Sequence, residues 1–224
     1  MDKKLIYLVR HGDIGLGNEK RYIGQSDLPL SERGKRQAAL LKDLLCQVPL
    51  DNIYCSDLKR SQQTAEIIAS AHQIVPSARV EFRELNMGDW DGKLFSEIRT
   101  KYPAEFIKRG EDIANYIPSK GESFLDCYKR VIPIFESLGQ GADTTSLIIG
   151  HAGVNRVILC RVLGIPLDNV FRLEQNYGCL NLITQKGSEY QLKYLNLTMF
   201  AGVTVHRSQC GNHSGTCPDW RISG

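Results

Sequence analysis

Two segments of this chain place a histidine one residue beyond an apolar run. Leu5-Ile6-Tyr7-Leu8-Val9 leads into Arg10-His11-Gly12, and Leu147-Ile148-Ile149 leads into Gly150-His151-Ala152-Gly153. A neutral imidazole is a competent nucleophile near neutral pH. Attack on a phosphoryl dianion also needs the group held in line and its charge offset, which arginine forks do well. Arg10 supplies one cation beside His11, and Gly12 permits close backbone approach. Arg60 supplies a second, early in the helix that follows Ser56-Asp57-Leu58-Lys59. The free N–H groups and positive dipole end of such a helix favour phosphate as well. On its own Arg-His-Gly is a common tripeptide, whose plainer reading is a surface charge beside a hydrogen-bonded core histidine.

The elements that must position these residues follow from periodicity. Segment 3–9, with glycines at 12, 15 and 17 behind it, reads as a buried strand. Ser31 reads as an N-cap, with Ala38, Leu41, Leu45 and Val48 at helical spacing behind it. Ile53-Tyr54-Cys55 reads as a second strand, 58–72 as a helix and 78–82 as a third strand. Residues 84–122 are rich in Gly, charge and aromatics, with short helical pieces at 94–101 and 103–109; a cap inserted over about 85–122 is expected. Phe124, Tyr128, Val131, Phe135 and Leu138 restore a helical stripe, with Pro133 as an expected kink. A strand over 146–149, a helix over 153–163 and late strands over 178–184 and 190–195 complete the series. This alternation predicts an α/β three-layer sandwich, a mostly parallel central sheet with helices on both faces. Ligands bind beyond the carboxyl ends of strands in such sheets. If both histidine-tipped strands are parallel and central, His11 and His151 meet there.

Composition narrows the field. The chain has 224 residues, 42% of them hydrophobic and 24% charged, which suits one α/β domain. A net charge of +3 is too small to imply a nucleic-acid or membrane partner. No run approaches the roughly 18 apolar residues of a membrane span, and Met1–Val9 lacks the features of a signal peptide. Of seven cysteines, Cys46, Cys55, Cys127, Cys160 and Cys179 stand singly among apolar residues. They read as buried, reduced thiols, and a cytoplasmic protein is expected.

Five segments together resemble one family. Leu8-Val9-Arg10-His11-Gly12 looks like the signature of the histidine phosphatase superfamily, which includes cofactor-dependent phosphoglycerate mutases. The stretch from Tyr22-Ile23-Gly24-Gln25-Ser26-Asp27 to Ser31 resembles its following loop, and Ser56–Ala65 resembles the segment bearing its second arginine. Arg83–Gly92 is similar to its proton-donor loop, and Gly150–Val154 to its second-histidine motif. The five fall in the family's order and cover about residues 3–195.

The resemblance implies His11 as nucleophile, with Arg10, Arg60 and His151 gripping the phosphoryl oxygens. Each well-placed donor of this kind is worth on the order of 3 kcal/mol. It implies Glu84 as the acid that protonates the leaving oxygen and then activates water. Such an acid should be partly desolvated; Glu81, Asp89 and Asp91 are the other carboxylates within reach, and Arg83 is a possible ion-pair partner that would leave Glu84 inert. Gly24 and Gln25 of the second motif are implied as substrate contacts. No metal and no cofactor is implied, and the expected partner is a small phosphorylated metabolite, with a homodimer as the assembly considered. One departure stands out. The family commonly has a phosphate-contacting asparagine six residues after the nucleophile, where this chain has Gly17, with Asn18 one place later; either the loop shifts by one residue and Asn18 contacts the phosphate, or backbone N–H groups of the stretch 12–17 do.

A mutase would carry a tyrosine three residues after the acid and a paired arginine for the substrate carboxylate. Met87 occupies the first position, and only Lys108-Arg109 offers a basic pair in the cap. Hydrolysis is therefore expected over mutase transfer. Arg21–Asp27 and Glu174–Asn181 look most like α-ribazole phosphatases, a resemblance that broad sugar or nucleotide phosphatases largely share. Residues 200–224 lie beyond the resemblance and read as a flexible tail. Within it, His206, Cys210, His213 and Cys217 form an H-x3-C-x2-H-x3-C array of zinc-ligand type, with spacing that fits no familiar module.

Overall fold

The first strand is buried on both faces. In β1 (Lys3–Arg10), Ile6 and Leu8 point one way and Tyr7 and Val9 the other, and none is more than 7% exposed. A strand covered on both sides belongs at the centre of a sheet flanked by two helical layers. The computed structural model, which describes residues 3–17, 19–138, 144–198, 204–207 and 220–223, shows that arrangement.

The remaining elements are α1 (Glu32–Leu45), β2 (Asn52–Ser56), α2 (Lys59–Ala69), β3 (Ser77–Arg79), α3 (Phe95–Lys101), α4 (Pro103–Glu111), α5 (Phe124–Ser137), β4 (Thr145–Gly150), α6 (Ala152–Leu163), β5 (Leu180–Lys186), β6 (Glu189–Leu197), β7 (Thr204–Arg207) and β8 (Trp220–Ser223). Six strands make one sheet in the order β3-β2-β4-β1-β5-β6. The β3–β2, β2–β4 and β4–β1 pairs are parallel. The β1–β5 and β5–β6 pairs are antiparallel, so the sheet is mixed, with a parallel half that carries both histidine-tipped strands.

Each face has its own core. Ile6, Leu8, Ile148 and Ile183 pack with Val131 and Phe135 of α5 and Val157 and Ile158 of α6. Tyr7, Val9, Leu147 and Ile149 pack with Leu41 and Leu45 of α1 and Ala65 and Ile68 of α2. Caps fix where the helices begin. Ser31 accepts from the N–H of Gly34 at the start of α1, and Ser123 accepts from Asp126 at the start of α5.

Several local expectations are corrected. The third strand is only Ser77–Arg79, and Val80–Phe82 turns as a 3-10 helix that buries Phe82. The second helix is Lys59–Ala69 rather than 58–72. Pro133 does stand inside a helix, α5. Cys46 is exposed at the end of α1, whereas Cys55, Cys127, Cys160 and Cys179 are buried free thiols. In the tail, β7 and β8 pair antiparallel, with His206 opposite Arg221. Cys210, His213 and Cys217 of the zinc-type array lie outside the described residues, as does Asn18. Among the described residues no helix is long and apolar enough to cross a membrane.

Candidate active site

Strand register brings the two histidines together. Arg10 of β1 is paired with Gly150 of β4, so the next residue on each strand, His11 and His151, leaves the sheet at the same point. The His11 N–H donates to the Gly150 carbonyl at 3.1 Å, and the two imidazoles meet edge to face with centroids 5.0 Å apart. Both are buried, at 3% and 0% exposure. His11 Nδ1 lies 2.7 Å from the Gly12 carbonyl, an oxygen that only accepts, so Nδ1 carries the proton and Nε2 keeps its lone pair.

Arg60 completes this centre. Its Nε lies 3.2 Å from His11 Nε2 and 3.3 Å from His151 Nδ1, sharing one N–H between two ring nitrogens. His151 therefore accepts on Nδ1 and holds its proton on Nε2, a buried atom with no hydrogen-bond partner among the described residues. The Arg60 side chain is fully buried because α2 starts one residue earlier and points it inward. Its Nη1 and Nη2 donate to the Ser26 and Gly24 carbonyls at 2.6 and 2.8 Å.

Arg10 is anchored from the opposite side. Nη1 donates to the Gln175 carbonyl at 2.6 Å, and its guanidinium lies 3.7 Å from the centre of the Tyr177 ring. Its buried Nε has no partner among the described residues. Two residues around His11 thus keep an unpartnered buried donor, Arg10 Nε and His151 Nε2, and donors of this kind suit a phosphoryl anion.

Burial pushes the pKa of His11 well below 6.5, and the charges of Arg10 and Arg60 push it the same way against the Gly12 hydrogen bond. His151 is lowered well below 6.5 by burial, then by Arg60, His11, Arg10 and Arg130. Both rings are neutral at pH 7, as nucleophilic attack requires.

Glu84 reaches the site from the segment after the 3-10 turn. It is 9% exposed, and its Oε1 accepts the N–H groups of Leu85 at 2.8 Å and Gly153 at 3.0 Å. Gly153 opens α6, and a Cβ there would lie 2.5 Å from Glu84 Oε1, so glycine is what lets the carboxylate approach the helix end. The competing readings of this segment find other uses for its charges. Arg83 forks onto Asp57, not Glu84, while Asp89 bonds Ser119 and Lys120 at the surface. Asp91 accepts the backbone N–H groups of Gly24, Gln25 and Ser26. Gly24 and Gln25 accordingly use their N–H groups on Asp91, and the Gln25 side chain donates to the Glu84 carbonyl.

A cavity of about 300 Å³ opens beside Glu84, lined by Tyr22, Phe95, Phe124, Phe171, Arg109 and Arg156 among others. Arg109, from α4, lies 5.5 Å from both the Tyr22 and Phe171 rings, and Arg156 lies 5.3 Å from Phe171. The Tyr22 hydroxyl is buried without a partner among the described residues. Among the described residues, no group of three or more His, Cys, Asp or Glu is placed to hold a metal ion.

The family model described as histidine phosphatase superfamily (branch 1) matches residues 6–198. The chain belongs to that superfamily. It is 28% identical over 192 residues to an adenosylcobalamin/α-ribazole phosphatase of Salmonella typhimurium, covering 85% of this chain and 95% of that one. It is 32% identical over 209 residues to phosphoserine phosphatase 1 of Hydrogenobacter thermophilus, covering 92% and 99%. The solved structure of a putative α-ribazole-5′-P phosphatase from Escherichia coli superposes with a TM-score of 0.80 at 28% identity, over 87% of this chain and 96% of that one. Like other histidine phosphatases, then, the protein is a phosphoric monoester hydrolase, and its four motif side chains, His11, His151, Arg60 and Arg10, converge on one point.

Sequence reasoning missed the supports of that point. Gln175 and Tyr177 hold Arg10 from a loop 165 or more residues away, and Arg130 of α5 donates to the Glu84 carbonyl at 3.3 Å. Arg156 and Phe171, which line the cavity, fall in no motif signal beyond helical spacing and a single exposed aromatic.

Proposed function

We propose that the protein hydrolyses a small phosphorylated metabolite through a phosphohistidine on His11. The supporting observation is the tautomer set around Arg60: a lone pair on His11 Nε2 and a proton on His151 Nε2, with Arg10 Nε a further buried donor left unpartnered among the described residues. In the first step His11 Nε2 attacks phosphorus, and the bond to the leaving oxygen breaks as Glu84 gives that oxygen a proton. In the second, Glu84 takes a proton from water, the water oxygen attacks phosphorus, and the electron pair of the P–N bond returns to His11. Arg10, Arg60 and His151 hold the equatorial oxygens through both steps.

The leaving group then occupies the cavity beside Glu84. Its aromatic lining suits a planar group, which supports α-ribazole 5′-phosphate, the substrate class carried in two of the similar proteins' names. A second reading rests on Arg109 and Arg156, which have no carboxylate partner within ion-pair distance among the described residues and suit a leaving group with a carboxylate. A kcat/KM panel of α-ribazole 5′-phosphate, phosphoserine, 3-phosphoglycerate, fructose bisphosphates and phosphotyrosine peptide decides between them. A flat profile would leave a broad-range phosphatase. Chelator is expected to leave turnover unchanged; a loss restored by one divalent metal would overturn the phosphohistidine scheme.

A further inference from the structure

Arg60 is a buried cation with no carboxylate in ion-pair contact among the described residues, yet burying a guanidinium without compensation is costly. Part of the compensation lies one peptide away. Gly24 and Gln25 share a peptide unit whose carbonyl accepts from Arg60 Nη2 at 2.8 Å and whose N–H donates to Asp91 Oδ2 at 2.9 Å. Because the peptide is trans, these two groups point in opposite directions. Its dipole therefore lies between the Asp91 carboxylate and the guanidinium, aligned with both charges. The neighbouring N–H groups, of Gly24 at 3.0 Å and Ser26 at 2.9 Å, end on the same carboxylate, and the Ser26 carbonyl takes Arg60 Nη1 at 2.6 Å.

The loop that carries these groups is closely packed at Gly24. A Cβ on Gly24 would lie 2.8 Å from both the Leu85 carbonyl and the Met87 nitrogen. The Gln25 side chain ties it to the Glu84 carbonyl at 3.1 Å. A carboxylate in direct contact with Arg60 would neutralise it and compete with the phosphoryl group. One that acts through a polarised peptide keeps the cation fixed and leaves its charge available to the anion.

We infer that Asp91 is a positioning residue for phosphoryl transfer, acting through the Gly24–Gln25 peptide to hold the Arg60 guanidinium against His11 and His151. The role rests on the phosphohistidine reading above. Burial lowers the Arg60 pKa, and Glu84, Tyr177, Asp91 and Asp27 oppose it in that order.

A double-mutant cycle tests this. Asp91→Asn sets an NH2 group against N–H donors and removes the charge. With p-nitrophenyl phosphate it is expected to lower kcat/KM by about 10- to 100-fold, mostly in kcat, and to weaken vanadate inhibition by a similar factor. In an Arg60→Ala background the same change is expected to have less than a twofold effect, since its target is gone. A loss of equal size in both backgrounds, or none in the native one, would overturn the inference. Should the asparagine variant melt below the assay temperature, Asp91→Glu, which keeps the charge on a longer arm, takes its place in the cycle. Acid-labile phosphoenzyme separates the two levels. Its absence in the native protein overturns the phosphohistidine reading, whereas its formation at the native rate in Asp91→Asn overturns only the role of Asp91.

Discussion

His11 and His151 stand with ring centroids 5.0 Å apart and planes at 62°, and one N–H of Arg60 lies within 3.3 Å of a ring nitrogen on each. The rings occupy opposite tautomers because of what each faces. The Gly12 carbonyl draws the His11 proton to Nδ1, and Arg60 confines the His151 proton to Nε2. One ring is thereby made an electron-pair donor and the other a hydrogen-bond donor.

Removing the nucleophile is the most direct check on this division. His11→Ala is expected to abolish both turnover of p-nitrophenyl phosphate and acid-labile labelling of the protein. Retained turnover in that variant would sink the mechanism.

Glu84→Gln keeps the N–H contacts from Leu85 and Gly153 possible but cannot give or take a proton at neutral pH. Alkyl phosphates, whose leaving oxygen needs protonation, should slow by about 10²- to 10⁴-fold. With p-nitrophenyl phosphate the first step should survive and the second should lag, giving a burst of nitrophenolate in stopped flow. An alkyl phosphate turned over at the native rate would remove Glu84 from its role.

The buried imidazoles set a pH dependence. Their folded-state pKa values lie well below 6.5, so the acid limb of kcat/KM, corrected for substrate ionisation, should fall below that value. Stability moves with the same groups. Below about pH 6.5 the unfolded chain binds protons that the folded chain refuses, so stability falls as pH falls, by up to about 1.4 kcal/mol per pH unit for each ring. Urea unfolding at pH 7.5 and 5.5 measures it. If the native protein lost no more stability over that interval than a His11→Asn/His151→Asn variant, the two rings would not be the buried neutral groups described.

Gly12 is required by contact with the start of α1. A Cβ there would lie 2.5 Å from the Gly34 carbonyl and 2.8 Å from its Cα, both backbone atoms that cannot swing aside. Gly12→Ala is expected to destabilise the fold by about 1–3 kcal/mol and to displace His11, lowering activity. An alanine variant with the native Tm and kcat would contradict that packing.

Much of this was legible in residue order. Apolar runs ending at His11 and His151, and alternating strand and helix periods, were enough to expect a largely parallel sheet with both histidines at one edge. The five motifs named Arg60 and Glu84 because their local frames, Ser56–Ala65 and Arg83–Gly92, are continuous in sequence. Such signals survive because strand burial and helix faces are short-range patterns that the chain must carry whatever it folds against.

The sequence by itself thus determined the α/β class, the family and the class of reaction, and it singled out His11 as the expected nucleophile. Only the tertiary structure decided the rest: that Gly150 pairs with Arg10, that Gln175 and Tyr177 hold Arg10, that Asp91 accepts the N–H groups of Gly24, Gln25 and Ser26, and that Arg109 meets Phe171 over the cavity. These contacts join residues tens to more than a hundred positions apart, several of them through backbone carbonyls and N–H groups rather than side chains. Residue type does not encode such partners; the register of β1 against β4 and the path of the loops across the sheet edge select them.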